Sequence, residues 1–341
     1  MIQANKKHTV SALLGLGLAA LLIWGIQDAP KATYYHNEGK IFGTYYNIRY
    51  EATEDLEDTI QAALQAFDAS LSMFNPHSTL SAINANRDTV TDAYFEAMWA
   101  EAAEVNRLSG GAFDITVAPL VNAFGFGRKN LQQTTISQQT IDSLLEIVGF
   151  EKVQLVDHKV IKADPRVMLD GGAVAKGQAC DVVAQVLSAH GCENYLVEIG
   201  GEIVSRGVNA KGDKWHIGVT KPNLNNEGAQ NELQEVLAIS DICMATSGNY
   251  RNYYYEGDER RSHTIDPRTG RPVQHSLLSA TVVSSTCMRA DAMATACMVL
   301  GAEDALDMIE RAGDAACYLI VAQNDSLTIV TSPNWEQTVD M

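Results

Sequence analysis

Apolar positions along the chain follow two different spacings. Apolar residues at every third or fourth position predict helices at residues 55–71, 92–108, 141–148, 174–189 and 289–309. Short apolar runs bounded by polar residues predict strands at residues 41–50, 153–156, 160–163, 167–169, 195–199, 203–205, 215–219, 237–239, 280–283, 316–321 and 326–330. Because most strands cluster after residue 152 instead of alternating regularly with helices, the pattern predicts an α+β fold with a mixed β-sheet core and packed helices.

The N-terminus follows neither spacing. Two lysines precede residues 10–26, which are apolar apart from one serine and approach the length of a bilayer-spanning helix. This order is typical of an export signal, although a buried core helix has the same composition. Residues 27–29 supply only one of the two small residues expected at a signal-peptide cleavage site. We therefore predict an uncleaved signal-anchor segment with a short linker at residues 1–31, followed by one domain at residues 32–341.

Composition narrows the class of partner. The 341 residues include 25 Lys and Arg against 42 Asp and Glu, which gives a formal net charge of −17. Because a surface this acidic repels phosphate backbones and no Lys- or Arg-rich run occurs, nucleic acid is not an expected partner. The six cysteines are dispersed without zinc-type spacing, and whether any of them pair stays open.

Two glycine-rich segments follow predicted strands and carry candidate binding groups. Residues 170–177 form a strand-to-helix turn whose free amides can receive an anion, with a positive charge added by Lys176. A tight turn with a solvated lysine explains this segment equally well. Gly200 and Gly201 permit close approach of a ligand to the backbone, but a hairpin or a β-bulge also explains them.

Three further side chains are candidates for catalysis. Asp291 and Thr295 lie four residues apart in a predicted helix, so their oxygens can converge on a hard cation such as Mg²⁺. An aspartate favoured by the helix dipole explains the pair without a metal. His263 lies among hydroxyl-bearing and turn residues, where it is either a general base or a structural histidine.

In their order along the chain, these segments resemble the ApbE family of FAD:protein FMN transferases. The matching segments are residues 73–84, 111–121, 124–127, 170–181, 194–203, 245–250, 263–270 and 290–295. In three of these segments the chain departs from the family pattern. At 124–127, Phe124 stands where the family commonly has tryptophan. At 170–181, Ala173 replaces the second of two paired glycines, and at 194–203, Glu198 replaces an asparagine often seen there.

The resemblance implies an ApbE-like α+β domain that binds FAD and uses Mg²⁺. Such a domain transfers the FMN half of FAD to a threonine or serine hydroxyl of a target flavoprotein and releases AMP. By position in the motifs, the resemblance implies a metal site at Asp291, Thr295 and the main-chain carbonyl of Ala173. It also implies a flavin-nucleotide pocket formed by Met73, Ser78, Asp114, Thr116, Lys176, Glu198, Gly200, Gly201, Thr246, Ser247 and His263.

Three residues are expected to take part in the chemistry itself. Lys176 would neutralise charge on the phosphates, because phosphoryl-type transfer depends mainly on positioning and charge neutralisation. His263 is the favoured base for the acceptor hydroxyl, and Asp181 is the reserve candidate.

Two other functions use the same pocket. Water in place of the acceptor hydroxyl gives a Mg²⁺-dependent FAD pyrophosphatase, and loss of the metal gives a non-catalytic flavin-binding protein. The presence of both candidate metal ligands counts against the second. The resemblance suggests acceptors among flavoprotein subunits of membrane redox complexes. With the N-terminal segment, it predicts an exported, inner-membrane-anchored protein whose catalytic domain faces the periplasm.

Overall fold

The structure is a computed structural model that describes residues 31–126, 136–222, 233–249, 253–256, 259–262, 264–323 and 326–339. The predicted signal-anchor stretch and His263 lie outside these ranges, and so does Gly127 of the third matching segment. Within these ranges, no helix has the length and apolar character needed to cross a bilayer. The membrane anchor therefore stays a prediction.

Sixteen strands occur in the described ranges. In chain order they are β1 (Thr33–Ile41), β2 (Thr44–Ala52), β3 (Val153–Val156), β4 (Lys159–Lys162), β5 (Tyr195–Ile199), β6 (Glu202–Arg206), β7 (Trp215–Thr220), β8 (Leu233–Ile239), β9 (Cys243–Gly248), β10 (Tyr253–Glu256), β11 (Glu259–Ser262), β12 (Ile265–Asp266), β13 (Arg271–Pro272), β14 (Leu277–Ser284), β15 (Ala315–Gln323) and β16 (Ser326–Thr331). Eight of them form the main sheet in the order β1-β2-β5-β6-β9-β14-β15-β16. The others pair as the hairpins β3–β4, β7–β8, β10–β11 and β12–β13.

Nine α-helices accompany the strands in the same ranges. They are α1 (Glu57–Leu71), α2 (Thr79–Asn84), α3 (Ala93–Leu108), α4 (Ala118–Ala123), α5 (Gln138–Leu145), α6 (Ala175–Ala189), α7 (Cys287–Leu300), α8 (Ala302–Ala312) and α9 (Trp335–Val339). Short 3₁₀ turns occupy Ile115–Val117 and Phe150–Lys152. The predicted α+β class is confirmed.

The main sheet is antiparallel at every pairing, so the expected mixed sheet is wrong. The connections explain why. Tight turns join β1 to β2 and β5 to β6, and hairpins of this kind are always antiparallel. Between β14 and β15 the chain passes through two helices, α7 and α8, which return it to the end of the sheet that it left.

Three predicted elements differ from the structure by more than a shift of their ends. Residues 41–50, predicted as one strand, contain the turn between β1 and β2, because Phe42 and Gly43 adopt positive φ angles of 53° and 77°. The predicted helix at 289–309 is divided between α7 and α8 at Gly301, where φ is +84°. Residues 167–169 form no strand, since the Asn84 side chain bonds both the amide and the carbonyl of Leu169.

Both faces of the sheet are covered. One face packs against α1, α3, α6, α7 and α8, in a core that includes Ile48, Val197 and Ala245. The other face packs against the β7–β8 hairpin and α9, around Met244 and Trp215. Helix α7 is buried on most of its surface because it contacts β9, β14 and α6 together. The residues that α7 carries are therefore held in fixed positions.

Candidate active site

A cavity of about 500 Å³ opens where the glycine turn before α6, the β5–β6 turn, β9 and α7 meet. Of the predicted site residues, ten line it: Met73, Asp114, Ala173, Lys176, Gly200, Gly201, Thr246, Ser247, Asp291 and Thr295. Six segments far apart in sequence thus bring their candidate groups to one enclosure. A volume of this size suits a nucleotide-sized ligand.

The most strongly charged part of the cavity is a cluster of one lysine and two carboxylates. The Lys176 ammonium lies 2.9 Å from Glu202 Oε1 and 3.5 Å from Asp291 Oδ1. Asp291 is 2% exposed, and its Oδ2 accepts a hydrogen bond of 3.0 Å from the Gly177 amide. Burial by itself lowers the pKa of Lys176, but the two carboxylates outweigh this and raise it, so the ammonium stays charged.

Glu202 lines the same cavity and is not among the residues predicted for the site. Its side chain is 3% exposed, and Oε2 has no hydrogen-bond partner among the described residues. Burial raises the pKa of Glu202, while its pairing with Lys176 opposes that rise. A signal for it exists in the sequence, because Glu202 directly follows the paired glycines.

Hydroxyl groups line the wall next to this cluster. Ser247 Oγ lies 3.3 Å from Thr295 Oγ1, which joins β9 to α7. Thr246 Oγ1 lies 2.9 Å from Thr281 Oγ1 on β14. These hydroxyls can donate hydrogen bonds to phosphate oxygens, and both they and the carboxylates can accept hydrogen bonds from a cation's water shell.

Another part of the lining is built around Asp114. Its Oδ1 accepts hydrogen bonds from the Thr116 amide (2.8 Å) and hydroxyl (2.7 Å). Burial raises the pKa of Asp114, and the bonds from Thr116 oppose that rise. Thr116 itself is fully buried outside the cavity lining, where its hydroxyl accepts the Gly149 amide at 2.7 Å. Thr116 thus fixes Asp114 in place from behind.

The donor set fits a hard cation. No group of three His, Cys, Asp or Glu side chains suited to a metal occurs in the described part of the chain. The candidate ligands are instead one carboxylate, one hydroxyl and one main-chain carbonyl, from Asp291, Thr295 and Ala173. Oxygen ligands few in number suit Mg²⁺, which keeps several waters and binds substrate phosphates. The unpartnered Glu202 oxygen is a further buried oxygen atom in the same cluster.

Comparison with known proteins agrees with this geometry. The ApbE family model matches residues 42–319. The chain belongs to the ApbE family. Proteins of Haemophilus influenzae and Vibrio cholerae named FAD:protein FMN transferase are each 34% identical to it, with 98% and 94% of this chain and 99% and 97% of those proteins aligned. The resemblance inferred from the sequence is therefore confirmed.

Solved ApbE structures share the fold. The flavin transferase ApbE from Vibrio cholerae is 33% identical, with a TM-score of 0.81 over 90% of this chain and 99% of that one. The apo form of the Pseudomonas stutzeri flavinyl transferase ApbE is 27% identical, also with a TM-score of 0.81, over 92% and 99% of the two chains.

Four predicted residues of this ApbE-family chain lie outside the cavity lining. Besides Thr116, they are Ser78, Glu198 and Asp181. Ser78 is fully buried and caps α2, where it accepts the Ser81 amide and donates to the Ser72 carbonyl. Glu198 is a half-buried residue of β5 whose pKa is raised by burial. His263, the predicted base, lies outside the described residues.

Asp181 caps the N-terminus of α7. Its two carboxylate oxygens accept the amides of Cys287 and Met288, each at 2.9 Å. Burial raises the pKa of Asp181 to about 6, against the opposing effect of these two bonds. Both oxygens are therefore engaged in positioning the helix that carries Asp291.

The raised pKa of Asp181 predicts how the stability of the fold depends on pH. The Asp181 carboxyl has a higher pKa in the folded chain than its ordinary value of 3.8, so its protonated form favours folding. That contribution is complete below pH about 4 and is lost as the pH rises to about 6. Asp181→Asn stays neutral. As the pH rises from about 4 to about 6, this variant should therefore become progressively more stable relative to wild type. Urea unfolding at several pH values measures the difference.

Asp164→Asn provides the matched control. Hydrogen bonds from Arg166 lower the pKa of Asp164 to about 2, so this carboxyl does not titrate between pH 4 and 6. Its effect on stability should be constant from about pH 5 to 6. Towards pH 4 the unfolded carboxyl begins to take up a proton, so Asp164→Asn should there recover stability relative to wild type as the pH falls. A difference between Asp181→Asn and wild type that is equally constant would contradict the role assigned to burial.

Proposed function

We propose that this chain is a FAD:protein FMN transferase. The observation that carries the proposal is the buried Lys176–Glu202–Asp291 cluster beside the hydroxyls of Thr246, Ser247 and Thr295. The names of the relatives support it. In the reaction, an acceptor hydroxyl oxygen bonds to the FMN phosphorus, the pyrophosphate bond breaks, AMP leaves and the hydroxyl proton passes to a base.

We propose Mg²⁺ as the cation of this site, held by Asp291, Thr295 and the Ala173 carbonyl. When bound, it would neutralise charge that develops on the pyrophosphate. Lys176 supplies a second, fixed positive charge, since its carboxylate neighbours keep it protonated. The glycine turn at residues 170–177 leaves room for phosphate oxygens to approach backbone amides.

The decisive test of the function is product analysis. The protein is incubated with FAD and Mg²⁺, with and without a flavoprotein acceptor. We expect covalently flavinylated acceptor and an equal amount of AMP, measured by intact mass and chromatography. Free FMN with AMP, at the same rate with or without acceptor, would indicate a pyrophosphatase instead. FAD that binds but is not consumed would indicate a carrier.

The same assay tests the metal ligands. Asp291→Ala should abolish turnover and keep the fold, because Mg²⁺ needs the anionic ligand to stay beside the pyrophosphate. Thr295→Ala should be milder, since water can replace a neutral oxygen. Rates are measured at limiting Mg²⁺, and circular dichroism checks folding. Near wild-type activity of Asp291→Ala would refute the assignment.

We propose His263 as the base that takes the proton of the acceptor hydroxyl. Both oxygens of the reserve candidate, Asp181, accept helix amides, which favours His263. Loss of a general base typically costs about 10²–10⁴-fold in rate. His263→Ala should therefore show that loss in single-turnover transfer at saturating FAD. A rate within a few-fold of wild type, with weaker FAD binding, would assign His263 to binding.

We also propose that residues 1–31 anchor the protein in the inner membrane, with the domain on the periplasmic side. The basic, then apolar, order of these residues supports this. The full chain should fractionate with membranes and be cut by protease added to spheroplasts. An intact mass lacking residues 1–29 would show a cleaved signal instead. Flavoprotein subunits of redox complexes in the same membrane are the proposed acceptors.

A further inference from the structure

The Lys176 ammonium lies unequally between its two carboxylates. It forms a direct ion pair of 2.9 Å with Glu202 and only a long contact of 3.5 Å with Asp291. Both carboxylates are almost fully buried, at 3% and 2% exposure. In such surroundings an ion pair is little screened, so the nearer partner largely decides where the ammonium stays.

The two carboxylate oxygens of Asp291 have different partners. Oδ2 accepts the Gly177 amide at 3.0 Å, whereas Oδ1 has only the long contact with Lys176. Oδ1 is thus the oxygen left for a cation. The cluster as a whole contains two carboxylates and one ammonium, so when both are ionised it retains one negative charge. A buried excess charge is costly unless a further ion compensates it.

We propose that Glu202 is a positioning residue that holds the Lys176 ammonium away from Asp291 and so keeps Asp291 Oδ1 free to bind a divalent cation. The inference rests on the proposed cation-binding role of Asp291. Without the Glu202 charge, Asp291 is the remaining buried carboxylate beside the ammonium. Lys176 would then pair with Asp291 directly and compete with the cation.

The backbone around Glu202 allows a clean substitution. Glu202 begins β6, pairs with Ile199 across the β5–β6 turn, and accepts the Cys180 thiol at its carbonyl. These contacts do not involve its carboxylate. Glu202→Gln therefore removes the charge and keeps the shape and the strand pairing.

The experiment measures cation binding instead of turnover. Mn²⁺, which also prefers oxygen ligands, is titrated into the full-length protein with AMP present, and free Mn²⁺ is read by electron paramagnetic resonance. We expect Glu202→Gln to weaken Mn²⁺ binding by about 10–100-fold, the usual range for residues that orient metal ligands. Adding Lys176→Met to that variant should restore most of the affinity, because the competing ammonium is gone. A purely structural role of Glu202 predicts no such restoration.

Glu101→Gln is the matched control. Glu101 forms a partly buried ion pair of 2.9 Å with Arg289, which lies on α7 as Asp291 does. Breaking that pair should leave Mn²⁺ affinity unchanged, and thermal unfolding shows that each variant is folded. Wild-type affinity in Glu202→Gln, or an unrestored double variant, would overturn the inference and leave the cation site intact. Absence of Mn²⁺ binding by wild type would overturn the cation site and the inference together.

Discussion

The ion-paired cluster of Lys176, Glu202 and Asp291 is the interaction on which the geometry of the site depends. Its members come from the start of α6, the start of β6 and the second turn of α7. A buried carboxylate that loses its partner strongly destabilises the fold. The three elements must therefore pack so that their charged side chains contact each other. The same contacts that satisfy the charges therefore also fix the floor of the cavity.

Close packing of α6 against α7 makes this meeting possible. A Cβ atom at Gly177 would overlap with the carbonyl of Cys287 at the start of α7, so glycine permits the approach. The Gly177 amide then reaches Asp291, and Asp181, one turn further along α6, caps the first amides of α7. One face of α6 thus holds both the N-terminus of α7 and the Asp291 carboxylate in position.

A bound cation is needed to make this negatively charged cluster attractive to a polyanionic substrate. An acidic chain with a net charge of −17 repels a pyrophosphate, and two buried carboxylates add to that repulsion. A divalent cation reverses the sign locally, and Lys176 adds one permanent positive charge. Binding of substrate and binding of the cation are therefore expected to favour each other.

The sequence by itself determined the α+β class, the positions of α1, α3 and α6, and the family, because periodicity and ordered motifs are local properties. It also placed Asp291 and Thr295 on one face of a helix, as candidate metal ligands. Only the tertiary structure decided the antiparallel order of the sheet and the division of a long apolar segment at Gly301. It alone brought Glu202 to within 2.9 Å of Lys176, 26 residues away in the chain. Such pairings depend on strand order and helix packing, and no local pattern encodes them.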